Sequence, residues 1–331
     1  MRLGKWISAM ACNRCGKEVV VGGGRCGRCG RVGYCSRGCQ TGDWADHKWT
    51  CSVAVEIRPS GVGEGLGVFA LRAFEVGEEI VREKPAVRVV GKDLAGAWEG
   101  AGGAERRVVL GFTDAWCARG GAPTVAGIVA TNSIPMGDGG AGVFAIACRI
   151  NHACYPNARW LWREDVGREL VLALRPIRAG EEITVCYAGE LNLCSTAERR
   201  AHLRENLRFE CACTLCSAAL PESDARLCSI RDLHRSVHEL YRTDPGRAIE
   251  SLQQILATLE AEGRSTPLDS REVHHNMSRI LHTMGRQDDA LHFAILALKD
   301  TRLTDGKGSP KAAALEYEIR RLYRLDDTQV L

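Results

Sequence analysis

Cysteine and histidine recur in this chain at spacings that suit a zinc ion. Four pairs open it: Cys12-x2-Cys15, Cys26-x2-Cys29, Cys35-x3-Cys39 and His47-x3-Cys51. Zinc takes four tetrahedral sulfur or imidazole ligands, and a C-x2-C turn presents two thiolates from one tight loop. The x3 spacing sets two ligands at i and i+4, on one face of a helix. Asp43 is then placed to cap a helix carrying His47 and Cys51. Eight ligands in four pairs fill two sites. The spacing leaves open whether neighbouring or alternate pairs share an ion, and Gly22–Gly24 make a crossing connection easy. Further along, Cys211-x-Cys213-x2-Cys216 supplies three thiolates, where a closed zinc site needs four. Between these lie Asn151-His152-Ala153-Cys154-Tyr155-Pro156-Asn157 and Gly180–Tyr187 (GEEITVCY), which gather amide, imidazole, thiol and phenol groups. Each fragment alone also has a plain structural reading: Asn151 and His152 as a satisfied buried pair, Tyr187 as a strand aromatic, Trp44 as the core of a small domain.

Strands and turns must position the middle fragments. From Val53 the chain runs in short alternating or β-branched stretches broken by glycine, the pattern of strands joined by tight turns. The glycine-rich stretch Gly61–Gly67 heads this region. No βαβ unit follows it, which rejects a dinucleotide fold. The stretch 91–127 is rich in glycine and alanine. After Leu220-Pro221 a helical period takes over, predicting amphipathic helices over about 223–242, 246–262, 269–284, 287–303 and 310–323. Two loosely similar segments about 40 residues apart suggest a short array of helical hairpins. Its histidines read as ordinary helix-surface residues.

A chain of 331 residues can bury a good core and hold two or three domains. No apolar run approaches the roughly 18 residues of a membrane helix, and the start, MRLGKWISAMACN, lacks the apolar core of a secretory signal. An intracellular protein, cytoplasmic and/or nuclear, is expected. There, sixteen cysteines mean metal ligands and free thiols rather than disulfides. Cys117, Cys148, Cys186, Cys194 and Cys228 fall outside the motifs and read as small buried thiols. The formal charge of +3 falls to about −2 once ligating thiolates are counted as ionised around three zincs. Overall charge therefore gives no reason to expect nucleic acid. Arg14, Lys17, Arg25, Arg28, Arg31 and Arg37 read as a solvated basic face.

In this order the fragments resemble one family, the SET and MYND domain (SMYD-type) protein-lysine methyltransferases. The segment Tyr34-Cys35-x3-Cys39-Gln40-x3-Trp44-x2-His47-x3-Cys51 matches the MYND pattern nearly position by position. The resemblance implies an α+β chain with four parts: a MYND zinc finger (12–51), a β-rich SET domain of β-clip type with a pseudoknot (53–190, short insert at 91–130), a post-SET zinc-binding segment (191–218) and a helical TPR-like domain (222–325). It implies crossed zinc pairing, with Cys12, Cys15, Cys35 and Cys39 on one ion and Cys26, Cys29, His47 and Cys51 on the other. Cys154 would complete a third zinc with Cys211, Cys213 and Cys216. S-adenosylmethionine would lie against Glu64, Gly65, Asn132, Asn151, His152, Tyr187 and Phe209, with the Tyr187 hydroxyl beside the transferring methyl. Gln40 and Trp44 would take proline-containing peptides. The expected protein is a monomer that methylates lysine in a protein substrate, binding neither membrane nor, directly, nucleic acid. Two departures stand out. Ala153 replaces a serine, and Leu207 stands where well-known members carry a tyrosine in the lysine channel. The alternative function is a SET/MYND scaffold with weak or no catalysis, acting as an interaction adaptor. A DNA-binding regulator acting through the basic finger is a third.

Overall fold

Alternation makes strands in the first two thirds of this chain, and a 3.6-residue period makes helices in the last. A computed structural model describes residues 12–325 apart from 13, 16, 20–23, 29–31, 52, 62–64, 92, 118–120 and 138, and apart from the side chains of 45, 46, 49, 50 and 190. Cys29 and Glu64 lie outside the described residues. The strands are β1 (Gly24–Arg25), β2 (Gly33–Tyr34), β3 (Val55–Pro59), β4 (Leu66–Ala70), β5 (Glu79–Glu83), β6 (Val87–Val90), β7 (Ile134–Pro135), β8 (Gly140–Val143), β9 (Asn151–His152), β10 (Ala158–Arg163), β11 (Arg168–Ala173) and β12 (Glu182–Val185). The helices are α1 (Arg37–Cys51), α2 (Leu94–Gly100), α3 (Gly103–Leu110), α4 (Val125–Asn132), α5 (Thr196–Leu207), α6 (Thr214–Ala218), α7 (Pro221–Thr243), α8 (Pro245–Ala261), α9 (Pro267–Thr283), α10 (Gln287–Asp305) and α11 (Pro310–Tyr323). No helix among the described residues is long and apolar enough to cross a membrane.

The chain divides into two compact units, and β5, β10 and β11 are each split between them. The first unit takes the residues up to Ala54, Val81–Arg149 and Trp162–Leu170. In it the β1–β2 ribbon leads into α1. The expected helix start at Asp43 is corrected: α1 runs unbroken from Arg37, and Asp43 sits inside it. Ser36 is the cap instead, its hydroxyl accepting the Cys39 N–H at 3.2 Å, which satisfies one of the donors a helix start leaves over. Asp43 accepts from the Tyr34 hydroxyl at 2.6 Å, tying helix to ribbon. Farther on, β6, β8 and β7 form an antiparallel sheet in that order. The short helices α3 and α4 pack on it through Val109, Ile128 and Val129, against Val87 and Val143.

The second unit takes Val55–Ile80, Ile150–Leu161 and Val171 onward. Its sheet has the order β3-β4-β12-β9. The β3–β4 hairpin is antiparallel, and β4 pairs antiparallel with β12. β12 and β9 are parallel, with Thr184 opposite Asn151 and Val185 opposite His152. That pairing brings the two motif segments edge to edge. Buried Asn157 holds them together: its Oδ1 accepts the Thr184 N–H at 2.8 Å and its Nδ2 donates to the Glu182 carbonyl at 2.9 Å. The helices α7 to α10 pack around Leu227, Leu252, Ile255, Val273, Met277 and Ile280. Proline stands in the first turn of α7, α8, α9 and α11, where its missing N–H has no helical partner to lose.

Candidate functional site

The cysteine side chains gather into clusters that fit zinc. Cys12, Cys15, Cys35 and Cys39 form one group, and Cys26, His47 and Cys51 another, each with its ligand atoms within 4.8 Å of one another. The grouping is crossed rather than sequential. A tetrahedron with Zn–S bonds of about 2.3 Å has S···S edges of about 3.8 Å. Here Cys15–Cys35, Cys35–Cys39 and Cys39–Cys15 are 3.5, 3.6 and 3.8 Å, and Cys26–Cys51 is 3.6 Å. These separations are far beyond an S–S bond. The thiols share protons unequally. Burial opposes ionisation of Cys12, but the N–H groups of Cys15 and Cys35 prevail and hold it at about 6. Hydrogen bonds with Cys15 and Cys39 push Cys35 up to about 12. A divalent cation supplies the charge that lets all four ionise together.

A third group joins Cys154 to Cys211, Cys213 and Cys216, all buried, with Cys154 Sγ at 3.9 Å from Cys211 and 3.5 Å from Cys216. Four thiolates on one zinc leave two negative charges in an apolar surround. Arg199 of α5, which the motifs gave no reason to notice, answers them. Its side chain is fully buried, and it donates to the Cys194 carbonyl and to Asp224. Burial opposes its charge, yet the sulfurs of Cys216 and Cys154 raise its pKa. Helix α5 is fixed by a Ser195–Glu198 capping box and ends on Arg208 at φ 62. That left-handed residue turns the chain so that Phe209 joins the core of Cys154, Leu203 and the tail cysteines.

Over this metal cluster lies an aromatic site. Tyr187 emerges just past β12, and its hydroxyl donates to the Ile150 carbonyl at 2.7 Å. Its backbone N–H donates to Nδ1 of His152 at 3.0 Å. Nδ1 is therefore an acceptor, so the proton is on Nε2, which lies 3.2 Å from the Cys154 sulfur. Burial pulls the pKa of His152 down to about 4, so the ring is neutral. One imidazole thus links the tyrosine to the thiolate cluster. The Tyr187 ring has His152 at 5.3 Å, Phe209 edge-on at 6.0 Å and Trp160 stacked at 5.6 Å with 8° between planes. It still remains 37% exposed. Asn151 donates through Nδ2 to the Leu66 carbonyl at 3.1 Å and to Glu182 Oε1 at 2.8 Å, and Ser60 donates to the same carboxylate at 2.9 Å. Gly65 has φ +115, a conformation that favours glycine, and closes the loop by accepting from the Ser60 N–H. Trp160 and Ser60 belong to this site but lie in none of the motifs; Glu182 and Asn157 fall inside them, with no role assigned from the sequence.

The family model of the MYND finger matches residues 12–51, and that of the SET domain matches residues 65–188. Histone-lysine N-methyltransferase SMYD3 of Mus musculus is 24% identical over 330 residues, spanning 90% of this chain and 74% of its own. SMYD3 of Homo sapiens is 26% identical over 285 residues, spanning 78% of this chain and 63% of its own. The chain carries a MYND finger followed by a SET domain, and over most of its length it is similar to histone-lysine N-methyltransferases. Protein-lysine N-trimethyltransferase SMYD5 of Homo sapiens adds 38% identity over 88 residues, 25% of this chain and 20% of its own. Within the MYND finger, Gln40 and Trp44 lie four residues apart on α1; Gln40 is half-buried and Trp44 is 40% exposed, its ring 6.0 Å from that of His47. Within the SET domain, Asn132 ends α4 and spends both amide protons locally, on the Thr113 carbonyl at 2.8 Å and the Ile128 carbonyl at 2.7 Å. Leu207 ends α5 and is 36% exposed.

Proposed function

We propose that this SET and MYND protein transfers a methyl group from S-adenosylmethionine to the side-chain amine of lysine in a protein, histone or otherwise, and that its MYND finger recruits proline-containing partners through Gln40 and Trp44. The supporting observation is the half-exposed Tyr187, walled by three aromatic rings and held by the Ile150 carbonyl and His152. The residues present suit the cofactor: a sulfonium cation favours aromatic surfaces. Asn151, His152, Phe209, Tyr187 and the Gly65 loop would hold it, and when bound it supplies an electrophilic methyl.

The chain does the rest by positioning and desolvation. A lysine enters protonated, with a pKa near 10.4, and only the neutral amine is a nucleophile. Aromatic walls exclude water and disfavour the charged form, which favours loss of the proton. The Tyr187 hydroxyl, its own proton on the Ile150 carbonyl, keeps lone pairs that accept a hydrogen bond from the amine and aim it. Neutral His152 neither competes as a nucleophile nor repels the sulfonium; its bond to Tyr187 fixes the backbone that carries the phenol. A cytoplasmic or nuclear location follows from the cysteine usage and a protein substrate.

The test is transfer from radiolabelled S-adenosylmethionine into a whole-cell lysate by wild type and Tyr187→Phe. Labelled bands that fall at least about a hundredfold in the variant, with cofactor affinity kept, are the expected result. Wild type that binds cofactor but labels nothing points to the scaffold reading, which the exposed Leu207 and the locally spent amide of Asn132 favour.

A further inference from the structure

Helix α9 has two faces of different character. Val273, Met277, Ile280 and Leu281 are buried in the helical core. On the opposite side lie His275, Ser278, Arg279 and His282, spaced i, i+3, i+4 and i+7 so that they share one face. The sequence marks these histidines as ordinary surface residues; the structure lines a cavity of about 210 Å3 with them. Ala294 of α10, Ile319 and Leu322 of α11 and the rings of Tyr241 and Tyr323 supply apolar walls. Pockets that take drug-sized ligands run to roughly 300–1,000 Å3, so this one suits a smaller molecule, on the order of ten non-hydrogen atoms.

Donors gather on the α9 face without acceptors. Arg279 pairs with no carboxylate among the described residues, and its guanidinium carbon lies 5.7 Å from the centre of the Tyr241 ring. Ser278 is only 8% exposed, yet its hydroxyl makes no hydrogen bond to any described residue. Nδ1 of His282 is sealed from solvent and has no partner. A sealed N–H without an acceptor is rare in folded proteins, so the proton belongs on Nε2, the ring nitrogen left open. Burial, with Arg279 beside it, pulls the pKa of His275 below its ordinary value, so that ring adds no second full charge. Glu318 of α11 also lines the cavity and forms no ion pair with Arg279. One guanidinium, two neutral donors and an apolar wall complement a single carboxylate on a small apolar body. A phosphate monoester would bring a charge of about −1.5 to −2 to a site with one full cation and an opposing acid.

We propose that this cavity is a binding site for a small monocarboxylate, whose oxygens accept from Arg279, Ser278 and His282 while its apolar body rests on Ile319 and Leu322. The site stands whether or not the chain transfers methyl groups. The experiment is saturation-transfer NMR on the full chain with phenylacetate and phenylacetamide, the same body with and without the charge. Wild type is expected to bind the acid at least about tenfold more tightly than the amide. Arg279→Gln brings the acid down to the level of the amide, and Ser278→Ala weakens it about threefold to tenfold. Arg279 is exposed, so its loss leaves the midpoint of thermal unfolding in place and separates lost binding from misfolding. Binding of neither probe, equal binding of acid and amide, full retention of the acid by Arg279→Gln, or its displacement by equimolar inorganic phosphate overturns the assignment.

Discussion

Gly67 shows how narrowly a single position is fixed in this site. A β-carbon there lies 2.2 Å from Glu182 Oε1 and 3.1 Å from Asn151 Nδ2. Glu182 cannot simply swing away, because Ser60 and Asn151 both donate to its carboxylate. Gly67→Ala is expected to break that node at a cost of about 1–3 kcal/mol and to weaken S-adenosylmethionine at least about tenfold. Thermal unfolding and calorimetric titration of the same sample read both effects, and unchanged cofactor affinity would separate the node from the cofactor site. Asn151, His152 and Tyr187 were legible because a short motif carries them. Glu182 was within reach of the same reading, sitting in GEEITVCY, but no local rule says which of two adjacent glutamates turns inward. Trp160 was harder: ARWLWR reads as any half-buried strand, and its stacking with Tyr187 joins residues 27 positions apart.

At the scale of elements, β5 carries a titration into the core. Glu83 is buried and accepts N–H bonds from Ile146 and Ala147. Burial outweighs those bonds and raises its pKa from 4.5 to about 7. A folded state that holds a proton the unfolded chain has released is stabilised at low pH, so this contribution is complete below about 4.5 and is lost as pH rises through 7. Glu83→Gln should remove a slope worth about 3 kcal/mol across that window, seen as a flatter plot of unfolding free energy against pH from 4.5 to 8. The tail from α5 to α6 makes a second prediction: Cys211→Ser is expected to lose one bound zinc and cofactor affinity together, measured by metal analysis and titration. Unchanged zinc content would remove that cysteine from the ligand set. Long helices were the most legible elements, since their period is set locally; the helix expected over 287–303 is Gln287–Asp305. The single α1 was not, because Cys35-x3-Cys39 and His47-x3-Cys51 read as separate helical pieces and the Ser36 cap is a matter of geometry.

At the scale of the molecule, one carboxylate in the second unit ties strand to helices. Asp305, buried at the end of α10, is shared by Arg159 of β10 at 3.1 Å, Arg271 of α9 at 2.7 Å and Lys311 of α11 at 3.9 Å. Asp305→Asn strands partly buried cations and is expected to cost about 3–5 kcal/mol. The midpoint of thermal unfolding then falls by about 5–10 °C, whereas a surface pair would barely move it. The third cysteine cluster carries a different consequence, one of timing. Cys154 comes off the ribosome 57 residues before Cys211 and 62 before Cys216. Every strand of the β3-β4-β12-β9 sheet has been made by Val185, yet neither Phe209 nor the tail cysteines exist at that moment. The nascent chain can therefore build its sheet first and gain its active site only when a late segment folds back onto Cys154. Zinc supply during synthesis, rather than strand pairing, would then set how much of the newly made protein becomes competent.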